Sequence, residues 1–224
     1  MNDNVVNKKS FISQVTEIVK TNIRNIIILL SFCFALFLSF QIYSFYISNK
    51  IQKNSISFFA AQNTDDTKVI TDTITKLSDD NTFYGVLAKL ELIELNLEQN
   101  NIQDSISMYL EVINQSNLDS IYKSAIASKA SYQLIDNNLE NLSSNYLNVI
   151  NNFISYIDDE VDSYKGIKLE LNYLIKILEV EKNSIDYSSF NEVSDIYENI
   201  MSSDVVSSTI KERVNKIHEF YSNK

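Results

Sequence analysis

The sequence predicts an all-α chain: a single N-terminal transmembrane helix, then an α-solenoid of about three to four helix pairs, closed by a C-terminal capping helix. Three observations carry this. The 224 residues contain no proline and only two glycines, Gly85 and Gly166. Those residues punctuate strands and turns, so their scarcity favours helices joined by short loops of Asn, Asp and Ser. Second, no charged residue stands between Arg24 and Lys50. Third, apolar residues downstream recur at helical spacing in blocks that themselves recur. YLEVIN at Tyr109 and YLNVIN at Tyr146 share five of six letters, 37 residues apart.

The first element is the span. Ile26–Ile47 reads IIILLSFCFALFLSFQIYSFYI, about 33 Å as a helix against a hydrocarbon core of about 30 Å. It is apolar on every side, and Tyr43 and Tyr46 suit the membrane–water interface. The run is longer than a cleaved signal tolerates, and no small-residue cleavage site follows closely. Phe32 precedes Cys33 where a lipoprotein signal needs a small residue, so an uncleaved anchor is expected. Residues 1–24 carry four basic side chains (Lys8, Lys9, Lys20, Arg24) and two acidic ones, net +2. The far flank holds Lys50, Lys53 and Lys68. This bias places the N-terminus inside and the C-terminus outside. Phe11, Val15 and Ile18 have the i, i+4, i+7 spacing of a short amphipathic helix on the inner face.

With +2 before the span, the remainder carries −12 of the total −10. An acidic body repels nucleic acid, which excludes that class of partner.

Beyond the span, residues 51–63 and 66–78 make a less regular helix pair. Phe83, Val86, Leu87, Leu90, Ile93 and Leu97 mark the next helix. Ile102, Ile106, Tyr109, Leu110 and Ile113 mark another, with Asn101 as its N-cap and Asp104 in its first turn. Only EQNN separates the two, so they pack antiparallel. The first type recurs as YGVLAKLEL at Tyr84, YKSAIASKA at Tyr122 and YKGIKLELN at Tyr164; the first and third share KLEL. The second type recurs at Tyr146 and in Phe190, Val193, Ile196, Tyr197 and Ile200. A last amphipathic helix holds Val206, Ile210, Val214, Ile217 and Tyr221. Two-helix repeats of roughly 34–42 residues signal a solenoid, because one pair cannot bury its apolar face alone. The repeated tyrosines are expected to fill the seam within each pair. A coiled coil is excluded because the stripes break every 15–18 residues.

An inner segment, one span, FFAA at Phe58–Ala61, FYGVLAKLELIEL and a stack of tetratricopeptide-like pairs resemble the bacterial ancillary subunit of the Sec translocon. That group shares its periplasmic tetratricopeptide domain with a cell-division coordinator. FISQVTEIV at Phe11 resembles the segment before the anchor in alphaproteobacterial members, and SSTIKERVNKI resembles their terminal helix. The resemblance implies a bacterial inner (plasma) membrane protein with residues 1–25 cytosolic, 26–47 transmembrane and 48–224 periplasmic. It also implies Sec translocon and periplasmic chaperone partners.

The function expected is therefore a membrane-anchored protein–protein interaction scaffold assisting protein export. The alternative is a structural or assembly scaffold of the cell envelope, including a homo-oligomer. An enzyme is not expected: the sequence has no nucleophile–base set, phosphate loop or metal-ligand spacing, so no catalytic, cofactor or metal residue is assigned. His218 is the sole histidine, Cys33 the sole cysteine. The acidic run Asp158, Asp159, Glu160 and Asp162 lacks the glycine and spacing of a calcium loop. It reads as a solvated loop with Asp162 opening a helix; Asp65–Asp66 and Asp79–Asp80 read the same way.

Overall fold

The fold is taken from a computed structural model that describes residues 7–115, 118–138, 144–183 and 191–223. Regular structure among the described residues is entirely helical: α1 Asn7–Gln62, α2 Thr67–Ser78, α3 Phe83–Glu98, α4 Ile102–Ile113, α5 Ser120–Asn138, α6 Ser144–Ser155, α7 Asp162–Asn183, α8 Asn191–Ser202 and α9 Ser208–Ser222. The chain divides into two compact units within the first turn of α3, one ending at Gly85 and the other beginning at Val86.

In the first unit, α1 runs 56 residues without interruption, about 84 Å. It passes Ile47 and continues to Gln62, where a separate helix over 51–63 was expected. Nothing in residues 48–62 breaks a helix, so the apolar span and the polar turns after it fuse. The stripe expected from Phe11, Val15 and Ile18 involves side chains outside the described residues. The helix ends at Asn63, and α2 starts on Asp66, whose carboxylate accepts from the amides of Lys68 (3.0 Å) and Val69 (3.3 Å). This is an N-cap, and it confirms the expected acidic helix start. α2 packs back on α1, burying Phe58, Ala61, Ile74 and Leu77. The α2–α3 connection is tight. A Cβ on Gly85 would lie 1.9 Å from the Asp80 carbonyl oxygen, so only glycine fits that approach.

The second unit is built from alternating longer and shorter helices. The turn between α3 and α4 shows how a chain poor in glycine ends a helix. Asn100 adopts φ 60°, its amide bonds the Leu97 carbonyl (2.9 Å), and the Asn101 amide bonds the Asn96 carbonyl (2.7 Å). That pair of bonds is a Schellman motif, with asparagine taking the left-handed position. Asn101 opens α4 as expected but makes no side-chain cap bond. The two helices are antiparallel: Lys89 pairs with Glu111 at 2.7 Å, and the Ser105 hydroxyl reaches the Ile93 carbonyl at 3.4 Å.

α5 packs against α4, α6 and α7. It can serve three neighbours because small residues, Ser124, Ala127, Ser128, Ala130 and Ser131, are buried beside Ile126, Leu134 and Ile135. The hydroxyls of Ser128 and Ser131 donate to carbonyls one turn back, 2.7 and 2.8 Å away, so they are not left unsatisfied in the core. α7 separates two apolar clusters. Leu171, Ile175 and Leu178 face the larger one, built with α3–α6; Tyr173, Ile177 and Val180 face a smaller one built with α8 and α9. α7 thus buries apolar side chains on two sides, as a helix packed between neighbours does. α9 matches the expected amphipathic helix except at Val206, which is buried but precedes the Ser207 N-cap. Ile210 and Val214 are buried, while Glu212, Lys216 and Glu219 face solvent.

The repeated tyrosines do not behave alike. Tyr109 is 1 % exposed, whereas Tyr146 is only half-buried. Tyr84, Tyr122 and Tyr164 do occupy matching places, each in the first turn of its helix. Phe190 lies outside the described residues.

Candidate functional site

The most conspicuous surface is the apolar part of α1. The helix from Lys20 to Gln62 is long and apolar enough to cross a membrane, and none of its apolar window is buried. Such a surface facing water is unfavourable at roughly 25 cal/mol per Å2, so it calls for an apolar environment. Past its apolar stretch, α1 is tied to the α2–α3 connection. Lys50 pairs with Asp80 at 3.0 Å, and Asn54 donates to Asp80 (3.0 Å) and to the Thr82 hydroxyl (2.9 Å). Burial opposes ionisation of Asp80, but hydrogen bonds from Asn54 and Lys50 and the Lys50 charge outweigh it and hold its pKa below the usual carboxylate value. Next to this tie, Phe58, Phe59, Phe83 and Tyr84 form edge-on and tilted ring contacts at 5.7–6.0 Å. Within this unit these contacts hold the polar end of α1 against the α2–α3 connection.

In the second unit, two polar networks sew the helices together. Glu170 on α7 is 2 % exposed. Arg213 on α9 grips it with two bonds, Nε to Oε1 at 2.8 Å and a terminal nitrogen to Oε2 at 2.6 Å. The Tyr132 hydroxyl on α5 donates to Oε2 at 2.7 Å. Burial pushes the Tyr132 phenol pKa up, and the Glu170 carboxylate pushes it further. The chain has only two arginines, Arg24 and Arg213; one is spent on the bidentate contact that a lysine cannot make. The second network joins α3, α4 and α5. Gln133 donates to both Glu94 oxygens (2.9 and 2.7 Å), Lys129 pairs with Glu94 at 2.6 Å, and the Tyr109 hydroxyl donates to Gln133. Burial, then the Glu94 charge, raise the Tyr109 phenol pKa.

The residues singled out from sequence do not converge. His218 stacks on Tyr197 at 3.8 Å and 11°, with Nδ1 3.4 Å from the Tyr173 hydroxyl. Burial lowers its pKa, partly offset by Glu219. Cys33 is exposed on α1. The acidic run borders an open cleft of about 550 Å3 with Lys123, Tyr156 and Lys168. Two of its four acids meet cations, Asp159 with Lys168 at 2.8 Å and Asp162 with Lys165 at 2.7 Å, and Asp158 accepts from the Glu160 amide at 2.9 Å. Asp162 opens α7 as expected. Among the described residues no group of three or more His, Cys, Asp or Glu has a metal-holding arrangement.

Sequence reasoning missed both networks. The acid set between Leu169 and Leu171 was the available signal for Glu170, but its partners lie 38 and 43 residues away in sequence. Comparison with known protein families, with characterised proteins and with solved structures returns no match for this chain.

Proposed function

We propose that this chain is a single-pass membrane protein whose helical body is an interaction scaffold, with its N-terminus cytoplasmic and its body on the far side of a bacterial inner membrane. The observation that carries the reading is α1: an unburied apolar helix of spanning length that continues unbroken into a polar stalk. The body reads as a tetratricopeptide-like solenoid. α4, α6 and α8 are each described over 12 residues, and they alternate with the longer α3, α5 and α7. Each short helix neighbours the long helix that comes after it, as α4 does α5 and α6 does α7. Stacked pairs of this kind present an extended surface for a peptide or helix. The side chains with unusual environments, Glu170 and Tyr109, are engaged in holding helices together, which favours binding over catalysis as the body's work.

The partners are drawn from the resemblance of the sequence to the ancillary Sec translocon subunit: the translocon and its periplasmic chaperones. The anchor would keep the body at the membrane, where emerging chains pass. Chemical crosslinking in intact cells, with identification of the attached proteins, tests this. Recovery of translocon subunits or chaperones is the expected result. Recovery of copies of this chain alone would favour an envelope scaffold, and recovery of neither would overturn both.

A further inference from the structure

We infer that the apolar segment of α1 pairs side by side with the same segment of a second copy of this chain, along a seam that contains Gln41. The inference rests on the reading of α1 as a membrane span. Gln41 is the only residue with an amide side chain in Ile26–Ile47. It lies six residues before Ile47, about 9 Å inside the end of the segment, and it is exposed.

The backbone of its own helix cannot satisfy both ends of such a side chain. The serines of the segment can turn back on the backbone, as Ser39 does in donating to the Ala35 carbonyl at 2.9 Å. A glutamine amide also carries an acceptor oxygen. In mid-helix every backbone N–H is already committed to the carbonyl four residues back. No other described element covers this stretch, whose apolar window is wholly unburied. In hydrocarbon an unmet amide is expensive, so Gln41 favours a polar partner on a neighbouring helix at its own depth.

A second copy supplies one without further assumption. Two copies inserted the same way carry Gln41 at the same depth. The amide is both donor and acceptor, so two of them can bond reciprocally across a twofold axis. An unrelated helix would need a polar group of its own at that level. The surrounding sequence has the matching spacing. Ile27, Ser31, Phe34, Leu38, Gln41 and Phe45 alternate steps of four and three, the 3.5-residue period of a left-handed helix pair. Ser31 is small enough to let the backbones approach at one end.

Oxidative crosslinking of single-cysteine variants of the full chain in native membranes tests the seam. In a Cys33→Ser background, Phe34→Cys and Leu38→Cys should form disulfide dimers. Phe40→Cys, about 160° round the helix from Leu38, and the parent Cys33 should not. Adding Gln41→Leu should reduce the Leu38→Cys dimer about threefold to tenfold, and Gln41→Asn should retain most of it. Equal crosslinking from Phe40→Cys, or a Leu38→Cys dimer unaffected by Gln41→Leu, would overturn the pairing. Crosslinking only to a different protein would also overturn it. Carbonate extraction of the same membranes separates the two readings. A chain that resists extraction yet fails to crosslink refutes the pairing alone, whereas a chain released by carbonate refutes the span itself.

Discussion

The same six-letter pattern sits in two different places. In α4, YLEVIN closes the helix, with Tyr109, Val112 and Ile113 fully buried; in α6, YLNVIN opens it, with Leu147 and Ile150 buried and Tyr146 and Val149 half-exposed. The burial pattern repeats at another interval. Ile106, Tyr109, Val112 and Ile113 correspond in spacing to Leu147, Ile150, Phe153 and Ile154, 41 residues on. The letters repeat after 37. The four-residue difference is about one helical turn, which rotates a side chain only about 40° and slides it about 6 Å along the axis. The apolar stripe survives such a slip; the role of a given letter does not. KLEL teaches the same lesson. Glu91 is half-exposed in α3, whereas Glu170 is clamped by Arg213 in α7. Local pattern sets which face is apolar, and long-range neighbours decide what each residue does there.

The largest expected effect separates the two tyrosines. Tyr109→Ala should cost about 3–5 kcal/mol, the range for a fully buried aromatic. Tyr146→Ala should cost less, about 1–2 kcal/mol, since its ring is only partly buried. Chemical denaturation of the full chain in mild detergent measures both. Equal losses would restore the hexapeptide as the true repeat.

The acid pair comes next. Glu170→Gln weakens a bidentate ion pair, but Arg213 can hydrate because its side chain is 52 % exposed. About 2 kcal/mol is expected, below the range for a fully buried pair. Glu91→Gln should cost less than about 1 kcal/mol, because Glu91 is partly exposed to solvent and ionic contacts screened by water are worth little. A larger loss at Glu91 would mean that KLEL has one role in both helices.

Tyr109→Phe removes only the hydroxyl that donates to Gln133. It should cost about 1 kcal/mol, the net worth of a typical hydrogen bond. A neutral result would assign the whole value of Tyr109 to its ring.

The smallest effect extends the comparison to the third short helix, where Tyr197 faces α9 and stacks on His218. Burial among Tyr173, Tyr197 and α9 lowers the folded His218 pKa from its ordinary 6.5, against an opposing pull from Glu219. The unfolded chain then binds the proton more readily. The contribution of His218 is therefore complete above about pH 6.5 and is lost as pH falls through the folded value. Denaturation midpoints between pH 5 and 8 should show a shallow decline on acidification that His218→Gln flattens. An unchanged slope would remove His218 from the account.

Much of the architecture was legible because its signals are local. Asp66 and Asp162 mark starts of α2 and α7, Asn100 and Asn101 mark the α3–α4 turn, and 3.6-residue spacing marks every downstream stripe. The reach of α1 to Gln62 was missed because the absence of a breaker is a weaker cue than a breaker. The ties at Glu170 and Glu94 were missed because no local period records a partner forty residues away. The assignment of letters to repeat positions failed at Tyr146 because helical periodicity tolerates a one-turn slip.

The central claim is that α1 crosses a membrane and carries the helical body to the far side. A reporter that works only outside the cytoplasm, fused after Lys224, tests it most directly. The account predicts that this fusion is active in intact cells and that a cytoplasm-only reporter at the same position is silent. Activity of the cytoplasm-only reporter there, with the other silent, would contradict it.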